Sequence, residues 1–573
     1  MTPMRDADAP RRAPRDAEPG SGWWMYHGDA GHSGEAMSSP ISASNVGALD
    51  LLHSLPVPGS ILSTPAVVDG HVYVGLANTV DVAHQNGGQF LKVELESGEI
   101  VARYRWSIPA GERDSHGFCG MAVTPAVVDG FVYFSAFNGK FYCLSREDLS
   151  EVWVVDLRYS DLAHRQPVTN DFETIPKAAG WSSPVVAGGR VYVGMGEGEN
   201  PQLYGFIYCL DAATGEVIWI FCTCEFEPGR PNRPNELPSD TVDTLPDGFT
   251  TYDAPVAVKG ASVWSSIAFD ADLDQLYCAT GNPNPDSTLP SAGYTNSVLV
   301  LEASTGTFRA CVQIPASTSY RPSDIDVDIG GSPTLFAVDG RKLVGMGCKN
   351  GCFLVFDAMT YEIRGTRQLL PLHRNGEQIA TVDPHGVDDP TQPYPVISNE
   401  DSNKTQGENY SGTYSTAAVC SSHGKLFIGV GGNNYHYLSP GIDSATTPFL
   451  RALDWVSLQD AWPLDDGDPR RYATANQADH PLYRTGGESG LSIPAVVNDV
   501  VFMATSLVAL YAFAVTDGAL LWSDTASFGP QTGGMSGGYG YCLGPAVNGE
   551  YVVAGALVAN DTGGVLNIYR LAR

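Results

Sequence analysis

Residues 123–156 read VTPAVVDGFVYFSAFNGKFYCLSREDLSEVWVVD, and this phrase decides the fold because it returns along the chain. It consists of short apolar or alternating runs, which are typical of β-strands, separated by turns rich in Gly and Asp. The pair Asp129-Gly130 supplies the positive φ that a tight hairpin turn requires. Each copy of the phrase therefore predicts a sheet of four short antiparallel strands.

Eight related segments follow one another in the chain. They span residues 63–106, 123–156, 182–221, 265–312, 331–365, 415–462, 491–522 and 543–573. A four-stranded sheet of this length cannot bury its faces alone, so such repeats stack radially around a common axis. The sequence therefore predicts an all-β protein, one eight-bladed β-propeller of four-stranded antiparallel blades.

The last segment is one strand short, and residues 45–56 are expected to supply its outer strand and close the ring. We therefore expect one propeller domain over residues 23–573. Residues 1–22 are charged and rich in Pro, and they are expected to form a disordered tail.

Three inserts interrupt the repeats and are rich in Pro, Asp and Asn. They span residues 226–260, 373–412 and 465–490. Long loops in a compact fold are often functional, so we expect these inserts around one mouth of the central channel.

The chain is strongly acidic, with a formal net charge of −31. Such a surface repels phosphate backbones and anionic lipids, which argues against nucleic-acid binding. No apolar run approaches the roughly 18 residues of a membrane span. The first 20 residues contain no apolar signal core. We therefore expect a periplasmic or extracellular protein if a leader has been removed, and a cytoplasmic one if Met1 is the native start.

The 11 cysteines contain neither a C-x-x-C pair nor a C-x-x-C-H haem motif. Four of them lie within apolar strand-like runs: Cys143, Cys209, Cys278 and Cys420. Free cysteine in such a run usually packs as a small hydrophobic residue. These four are therefore expected in the core.

The strand end Asp211-Ala-Ala-Thr-Gly215-Glu-Val-Ile-Trp219 resembles the tryptophan-docking repeat of the pyrroloquinoline quinone (PQQ)-dependent alcohol dehydrogenases. In that repeat the glycine permits a sharp bend and the tryptophan packs flat between neighbouring blades. Trp153 and Trp522 end similar phrases. The segment WMYHGDAGHSG at residues 24–34 also resembles the opening segment of that family.

The resemblance covers about residues 23–573 and is closest in character to polyvinyl-alcohol-dehydrogenase-like members. Non-catalytic propellers such as outer-membrane assembly scaffolds share the repeat, so the function has to be argued from the site.

Two motifs resemble the family's cofactor site. Gly260-Ala-Ser-Val-Trp264-Ser is similar to the strand that places a tryptophan face against the quinone ring, and Ala279-Thr-Gly281-Asn282-Pro283 is similar to the strand end whose Asn carbonyl ligates calcium. Trp264 and Asn282 are 18 positions apart, as in the family. A flat polycyclic cofactor needs a large π surface, and a hard cation needs oxygen ligands. Taken singly, an ordinary blade-packing Trp and a turn-forming Asn would explain them.

Asp324, Asp326 and Asp328 alternate along the chain, which places them on one face of an extended strand. Neighbouring carboxylates repel one another unless a cation lies among them, so the pattern favours a metal over a solvated acidic loop. The resemblance implies that Asp328 is the catalytic base and lies close to the metal. Gly330 stands where lanthanide-using relatives add a second Asp, so calcium is expected.

Lys349, within Cys348-Lys-Asn-Gly351, stands where family members carry Arg or Lys. The resemblance implies that Lys349 hydrogen-bonds the quinone oxygens and stabilises the reduced ring, which is an electrostatic role in catalysis. The alternative is a lysine in an ordinary turn.

The metal's carboxylate ligand is expected in the segment GMGEGEN at residues 194–200. Glu199 matches the family position by count, and Glu197, one pleat away, stays open as the alternative. Ser182 and Ser183 precede this strand and are expected to contact the cofactor's carboxylates. The alternative is that they are ordinary serines at the start of a strand.

One departure from the family concerns the adjacent-cysteine disulfide that often caps the quinone. The segment around Cys119 contains a single cysteine, and Cys222 and Cys224 are neither adjacent nor in the expected blade. We therefore expect no such disulfide, as in the branches that oxidise polymers and sugars.

The resemblance implies a PQQ- and Ca²⁺-dependent dehydrogenase that oxidises a small or polymeric alcohol (primary, secondary or polyol) to an aldehyde or ketone. Asp328 would accept the hydroxyl proton while hydride passes to the quinone. Because the chain has no haem motif, an external electron acceptor such as a cytochrome c is expected. Two alternatives stay open: a cofactor-free scaffold that binds proteins, and a PQQ-dependent sugar or biosynthetic tailoring oxidoreductase.

Overall fold

The computed structural model of the chain describes most of the eight predicted segments. The described residues are 22–36, 38–81, 84–107, 120–157, 180–196, 204–239, 248–253, 256–257, 260–282, 293–313, 329–349, 351–369, 373–374, 377–378, 411–432, 448–466, 472–476, 480–483, 492–505, 509–527, 544–558 and 563–572.

The strands form eight antiparallel sheets, which we call blades 1 to 8 in chain order, each with its inner strand first. The strands of blade 1 are Ala66–Val68, His71–Asp81, His84–Glu94 and Ile100–Ser107. Those of blade 2 are Ala126–Val128, Phe131–Ser135, Lys140–Ser145 and Glu151–Asp156. Those of blade 3 are Val185–Ala187, Arg190–Met195, Phe206–Asp211 and Val217–Cys222. Those of blade 4 are Ala268–Asp270, Gln275–Ala279, Ser297–Glu302 and Phe308–Gln313.

The second half of the ring repeats this arrangement. The strands of blade 5 are Thr334–Val338, Arg341–Gly347, Cys352–Asp357 and Ile363–Gln368. Those of blade 6 are Ala418–Cys420, Lys425–Gly429 and Leu450–Asp454. Those of blade 7 are Ala495–Val497, Val500–Ala504, Leu510–Ala514 and Leu520–Asp524. Those of blade 8 are Ala546–Asn548, Tyr551–Val558, Gly563–Leu571 and, from the other end of the chain, Leu49–Val57.

The ring closes as the sequence predicts, because Leu49–Val57 pairs antiparallel with Gly563–Leu571. The eight-bladed all-β architecture is therefore confirmed. Blade 6 differs slightly from the prediction because its described sheet has three strands. The segment after the third strand pairs with it at one isolated bridge, which involves Asp460. The Asp460 carboxylate is buried and accepts hydrogen bonds from Arg367 and Arg451 at 2.7 and 2.9 Å.

Short elements lie outside the blades. They are the strand Gly22–Trp23, the pairs Glu236–Pro238 with Thr250–Tyr252, His373–Arg374 with Glu377–Gln378 and Ser411–Gly412 with Gly431–Gly432, and the 3₁₀ turns Val46–Ala48, Ala473–Asn476 and Pro481–Tyr483. None of the helices in the described part of the chain has the length and apolar character that a membrane crossing requires.

At the outer rim each docking tryptophan binds the next blade. Trp219 is 2% exposed, and its indole N–H donates to the carbonyl of Ala303 at 3.1 Å. Its ring packs against Gly306, where an added Cβ would lie 2.7 Å from the indole. The turn glycine therefore provides the flat surface on which the preceding blade's tryptophan lies. The same indole-to-carbonyl bond recurs for Trp153 with Ala212, Trp462 with Val515 and Trp522 with Leu49.

Near the central channel a series of hydroxyl groups joins neighbouring inner strands. We call it the hydroxyl belt, and its members are Ser183, Ser266, Ser332 and Thr416. Each accepts a hydrogen bond from the backbone N–H of the preceding blade at 2.9–3.1 Å, with Thr124 as the first donor. Because buried N–H groups need partners, the hydroxyl ahead of each inner strand fixes one blade to the next.

Residues 22–36 form a plug that follows the inner strands around the channel. Gly22–Trp23 pairs antiparallel with the inner strand of blade 1. Backbone N–H groups of five further inner strands donate to plug carbonyls: Val127 to Trp24, Phe269 to Ala30, Leu335 to Gly31, Val419 to Ser33 and Val496 to Gly34. His27 and His32 are buried within the plug. A single short segment therefore cross-links blades 1, 2, 4, 5, 6 and 7.

The core lies between facing blades, and the largest apolar cluster combines side chains of blades 2, 3 and 4. The four cysteines predicted to be buried are so: Cys143, Cys209, Cys278 and Cys420 each have 0% exposure. Burial raises the pKa of the Cys209 thiol to about 12, so this thiol stays protonated and packs as an apolar side chain.

Candidate functional site

The segment of Trp264 and the strand end of Asn282 are hydrogen-bonded to each other. Ala261 N–H donates to the carbonyl of Asn282 at 3.0 Å, and Gly281 N–H donates to the carbonyl of Ser262 at 2.8 Å. The two motifs singled out in the sequence are therefore adjacent, and we call this end of the inner strands, with Trp264 and Asn282, the channel mouth. Asn282 is 8% exposed, and Trp264 is half-buried.

The chain that follows blade 3 is also bonded to the Trp264 segment. Thr223 Oγ1 donates to the carbonyl of Ala261 at 2.6 Å, and the side-chain amide of Asn232 donates to the carbonyls of Cys222 and Cys224. The chain that leads into the insert is thus bonded to the Trp264 segment, and Asn232 within the insert is bonded to that leading chain.

Lys349 lies between two aromatic rings. Its ammonium is 4.9 Å from the centroid of the Trp264 ring and 5.2 Å from that of Tyr414, and the residue is 8% exposed. Burial of an ammonium is costly, and aromatic faces offset part of that cost through their quadrupole. Trp264, Lys349 and Tyr414 come from blade 4, blade 5 and the approach to blade 6, so this cluster exists only in the folded ring.

Gly330 has no room for a side chain. A Cβ added there would lie 2.5 Å from the carbonyl oxygen of Thr413, 3.0 Å from Cα of Tyr414 and 3.3 Å from Cγ of Lys349. The backbone at Gly330 therefore fits closely between the strand that carries Tyr414 and the Lys349 side chain. An aspartate at this position would require the backbone of one strand to move.

Two buried polar side chains flank Gly281. The Ser262 hydroxyl and the side-chain amide of Asn296 are 3% and 1% exposed, and within the described part of the chain neither finds a hydrogen-bond partner. Ser262 lies beside Gly196, the residue ahead of the predicted metal-binding glutamates, because a Cβ at Gly196 would be 3.1 Å from that of Ser262. Buried polar groups usually have partners, so this position suits a ligand oxygen, water or ion.

Ser182 and Ser183 are buried at the start of blade 3, and the described contacts of both are backbone caps. The Ser182 hydroxyl accepts from Gly194 N–H at 3.2 Å, and that of Ser183 accepts from Thr124 N–H at 3.0 Å. Ser183 is thus a member of the hydroxyl belt. The bond between blades explains why a serine stands ahead of this strand, which supports the strand-start alternative.

Several predicted site residues lie outside the described residues: Glu197, Glu199, Asp324, Asp326, Asp328 and Cys119. Among the residues that are described, no group of three His, Cys, Asp or Glu side chains could hold a metal. The nine described cysteines are all free thiols, Cys222 and Cys224 included.

Sequence reasoning missed Tyr414, although a signal for it exists. Tyr414 precedes the belt residue Thr416 by two positions, as Trp264 precedes Ser266. Residues two positions ahead of the belt share a level at the channel mouth, because side chains alternate along a strand. Comparing the blades at this register would have paired Tyr414 with Trp264.

Two family models match parts of the chain. The model described as "Glucose/ethanol/alcohol dehydrogenase, beta-propeller domain" matches residues 170–425, which contain Trp264, Asn282, Lys349 and Tyr414. The model described as "Outer membrane protein assembly factor BamB" matches residues 56–221, over the first three blades.

Curated relatives match the chain at modest identity. The dehydrogenase subunit of a quinone-dependent alcohol dehydrogenase from Komagataeibacter europaeus is 28% identical over 371 residues, which are 61% of this chain and 45% of the relative. Lupanine 17-hydroxylase [cytochrome c] from a Pseudomonas species is 26% identical over 349 residues, 58% of this chain and 45% of the relative. The chain thus spans less than half the length of these relatives.

A solved structure shares the fold over nearly the whole chain. The quinohemoprotein alcohol dehydrogenase from Comamonas testosteroni superimposes with a TM-score of 0.63 at 17% identity, covering 96% of this chain and 81% of the other. At that identity the match speaks for the architecture alone. The matches in sequence show that this chain is similar to the quinone-dependent alcohol dehydrogenases.

Proposed function

We propose that the chain is a PQQ-dependent dehydrogenase that oxidises an alcohol to an aldehyde or ketone. The observation that carries the proposal is the buried Lys349 ammonium between the rings of Trp264 and Tyr414. Three successive blades contribute one residue each, and a scaffold propeller gains nothing from burying a lysine at its channel mouth. The relatives named as alcohol dehydrogenases support the same reading.

The residues present fit a flat anionic quinone. Such a ring binds through aromatic faces and a cation, and Trp264, Tyr414 and Lys349 supply these groups within 6.5 Å of one another. We assign Trp264 and Tyr414 to stacking and Lys349 to the quinone oxygens. Asn282, Ser182 and Ser183 stay proposed contacts of the cofactor.

The residues around Gly281 fit a hard cation. Ser262 and Asn296 place buried oxygen-bearing groups on its two sides, and calcium takes six to eight oxygen ligands in flexible geometry. We propose Asn282, Asp328 and Glu199, or Glu197 in its place, as metal ligands. Calcium is favoured over a lanthanide because Gly330 leaves no space for the additional aspartate that lanthanide-using relatives carry.

Bound PQQ would supply the two-electron acceptor for the hydride of the alcohol. Asp328 would accept the hydroxyl proton, and positioned general bases contribute about 10²–10⁴ in rate. The Lys349 ammonium would stabilise negative charge that develops on the acceptor's oxygen. Trp264 and Tyr414 would hold the ring in place and exclude water from its faces.

We further propose an external one-electron acceptor such as a cytochrome c, in keeping with the cytochrome c in the name of the relative lupanine 17-hydroxylase. The formal charge of −31 suits a cationic partner, since complementary charge speeds encounter.

The decisive test is reconstitution with PQQ and CaCl₂, followed by quenching of tryptophan emission and by dye reduction with primary, secondary and polymeric alcohols. The wild-type chain should bind PQQ saturably and reduce dye. Lys349→Met should weaken binding by at least tenfold because it removes the cation. The matched control is Lys342→Met, which removes a partly exposed lysine paired with Asp270 and Asp272 and should leave binding unchanged.

Asp328→Asn, in the same assay, should bind PQQ and lose turnover, since an amide cannot accept the proton. Full activity of that variant would contradict the assigned base. The absence of any saturable PQQ binding by the wild type would favour the scaffold alternative, and turnover confined to sugars would favour a sugar dehydrogenase.

A further inference from the structure

Tyr26 of the plug contacts the hydroxyl belt. Its hydroxyl hydrogen-bonds Thr416 Oγ1 at 2.8 Å, across 390 positions of the chain, and it also contacts the Ser332 hydroxyl. Ser332 and Thr416 are the last two members of the hydroxyl belt, and Ser332 N–H donates to Thr416 Oγ1 at 2.9 Å. Tyr26 therefore joins the plug to the last two hydroxyl groups of the belt.

The belt lies directly beneath the mouth residues. In blades 4, 5 and 6 a belt hydroxyl follows a mouth residue by two positions: Ser266 after Trp264, Ser332 after Gly330 and Thr416 after Tyr414. Two residues of extended strand span about 7 Å. A change at Thr416 is therefore one pleat away from the ring of Tyr414.

The strands of blades 5 and 6 touch backbone to backbone at this level. A Cβ at Gly331 would lie 2.6 Å from the carbonyl oxygen of Ser415, and one at Gly330 would lie 3.0 Å from Cα of Tyr414 and 3.3 Å from Lys349 Cγ. Close-packed interiors transmit small displacements. A relative shift of these two strands must therefore change the contact between Lys349 and Tyr414.

We propose that Tyr26 is a positioning residue of the quinone site, whose hydroxyl holds Thr416 and thereby sets the separation of Tyr414 from Lys349. The inference rests on the proposed function and adds to it a contribution from the plug. Tyr26 acts through Thr416 and is not itself assigned to the reacting atoms. The hydroxyl carries this role, because a phenylalanine ring would fill the same volume without the hydrogen bond.

The test measures the PQQ dissociation constant, by quenching of tryptophan emission, together with the melting temperature of each variant without PQQ. Tyr26→Phe removes the phenol hydroxyl and should weaken PQQ binding roughly three- to tenfold, the size expected for one hydrogen bond. Thr416→Val also removes the acceptor of Ser332 N–H and should weaken binding further. Thr416→Ser keeps the hydroxyl and should bind as the wild type does. The matched control is Tyr133→Phe, which removes a buried hydroxyl that donates to the carbonyl of Ala212 at the rim.

Wild-type affinity in Tyr26→Phe overturns the proposal, and so does an equal loss in Tyr133→Phe, which would reveal general loosening of the ring. If Thr416→Val does not fold, Tyr26→Phe and Thr416→Ser still decide the matter. A wild-type chain that binds no PQQ overturns the proposed function and this inference together. Binding by the wild type without any effect of Tyr26→Phe overturns only the inference.

Discussion

Trp219 and Trp264 lie in neighbouring blades and differ in burial and in what their rings contact. Trp219, at the rim, is 2% exposed, lies flat on Gly306 and donates its indole N–H to the carbonyl of Ala303. Trp264, at the channel mouth, is half-buried, and its ring faces the Lys349 ammonium. The first ring is buried between blades, whereas the second is half-buried beside a cation.

The tryptophan contact at the rim recurs between several blades, whereas the Lys349 cluster at the mouth occurs once among the described residues. The indole-to-carbonyl contact of Trp219 recurs for Trp153, Trp462 and Trp522, so it belongs to the architecture of the ring. Two positions ahead of the four belt hydroxyls the chain carries Trp181, Trp264, Gly330 and Tyr414, so the residue at this register changes from blade to blade after the first two. The rim contact therefore belongs to the repeat, whereas the Lys349 cluster combines Trp264 with residues that do not recur at this register.

The largest expected effect on stability is at the rim. Trp219→Ala should lower the free energy of unfolding by about 3–5 kcal/mol, because it removes a fully buried indole and leaves a cavity against Gly306. Urea-induced unfolding of the chain without PQQ measures this change. A loss below about 1 kcal/mol would show that the docking contact does not stabilise the ring.

The matched variant Trp264→Ala completes the comparison. Its loss of stability should be at most about half that of Trp219→Ala, since Trp264 is half-buried. Its PQQ affinity, in contrast, should fall far more than that of Trp219→Ala. If both variants lost stability and affinity in the same proportion, the distinction between rim and mouth would not hold.

Much of the ring could be predicted because its signals are local and repeated. The phrase that ends in Gly215 and Trp219 predicts both the turn and the docking residue. The expected closing strand at residues 45–56 is found as Leu49–Val57. Of the proposed site residues, Trp264 and Lys349 are brought into contact, and Asn282 lies beside the Trp264 segment.

The parts that could not be predicted depend on distant contacts. Tyr26 meets Thr416 across 390 positions, and no local pattern records such a pairing. The sequence leaves the role of Ser183 open, because a serine ahead of a strand looks the same whether it faces a ligand or caps a neighbour's N–H; the structure describes the second contact. The roles of Asp328 and of Glu199 or Glu197 remain predictions.

A pair of glycine variants gives a smaller effect and separates the two regions again. Gly306→Ala introduces a Cβ 2.7 Å from the Trp219 ring at a φ of +74°, and Gly330→Ala introduces one 2.5 Å from the carbonyl oxygen of Thr413. Each should cost about 1–3 kcal/mol of stability through overpacking or backbone strain. Only Gly330→Ala should also weaken PQQ binding, because it pushes Tyr414 away from Lys349. Equal affinity of the two variants, measured by emission quenching, would contradict a tightly packed mouth.

The smallest expected effect is a change of stability with pH. It should arise in the plug, which contains His32, and not at the docking contact of Trp219, which contains no titratable group. Burial, together with the neighbouring His27, lowers the pKa of His32 to about 3. The unfolded chain, with a histidine pKa near 6.5, therefore binds this proton more readily than the folded chain. Stability is complete above about pH 6.5 and falls as the pH drops from there towards 3.

At pH 5.5 the expected loss from His32 is about 1.4 kcal/mol relative to pH 7.5. His32→Asn keeps a donor for the carbonyl of Pro333, which His32 Nδ1 contacts at 2.9 Å, but it cannot titrate. Urea unfolding at the two pH values should therefore show a decrease that is smaller by about 1.4 kcal/mol in His32→Asn than in the wild type. Trp219→Ala should keep the full wild-type decrease, because its lost contact is independent of protons. If Trp219→Ala also flattened the pH dependence, rim and channel would be coupled, and acid could not be said to act on the plug alone.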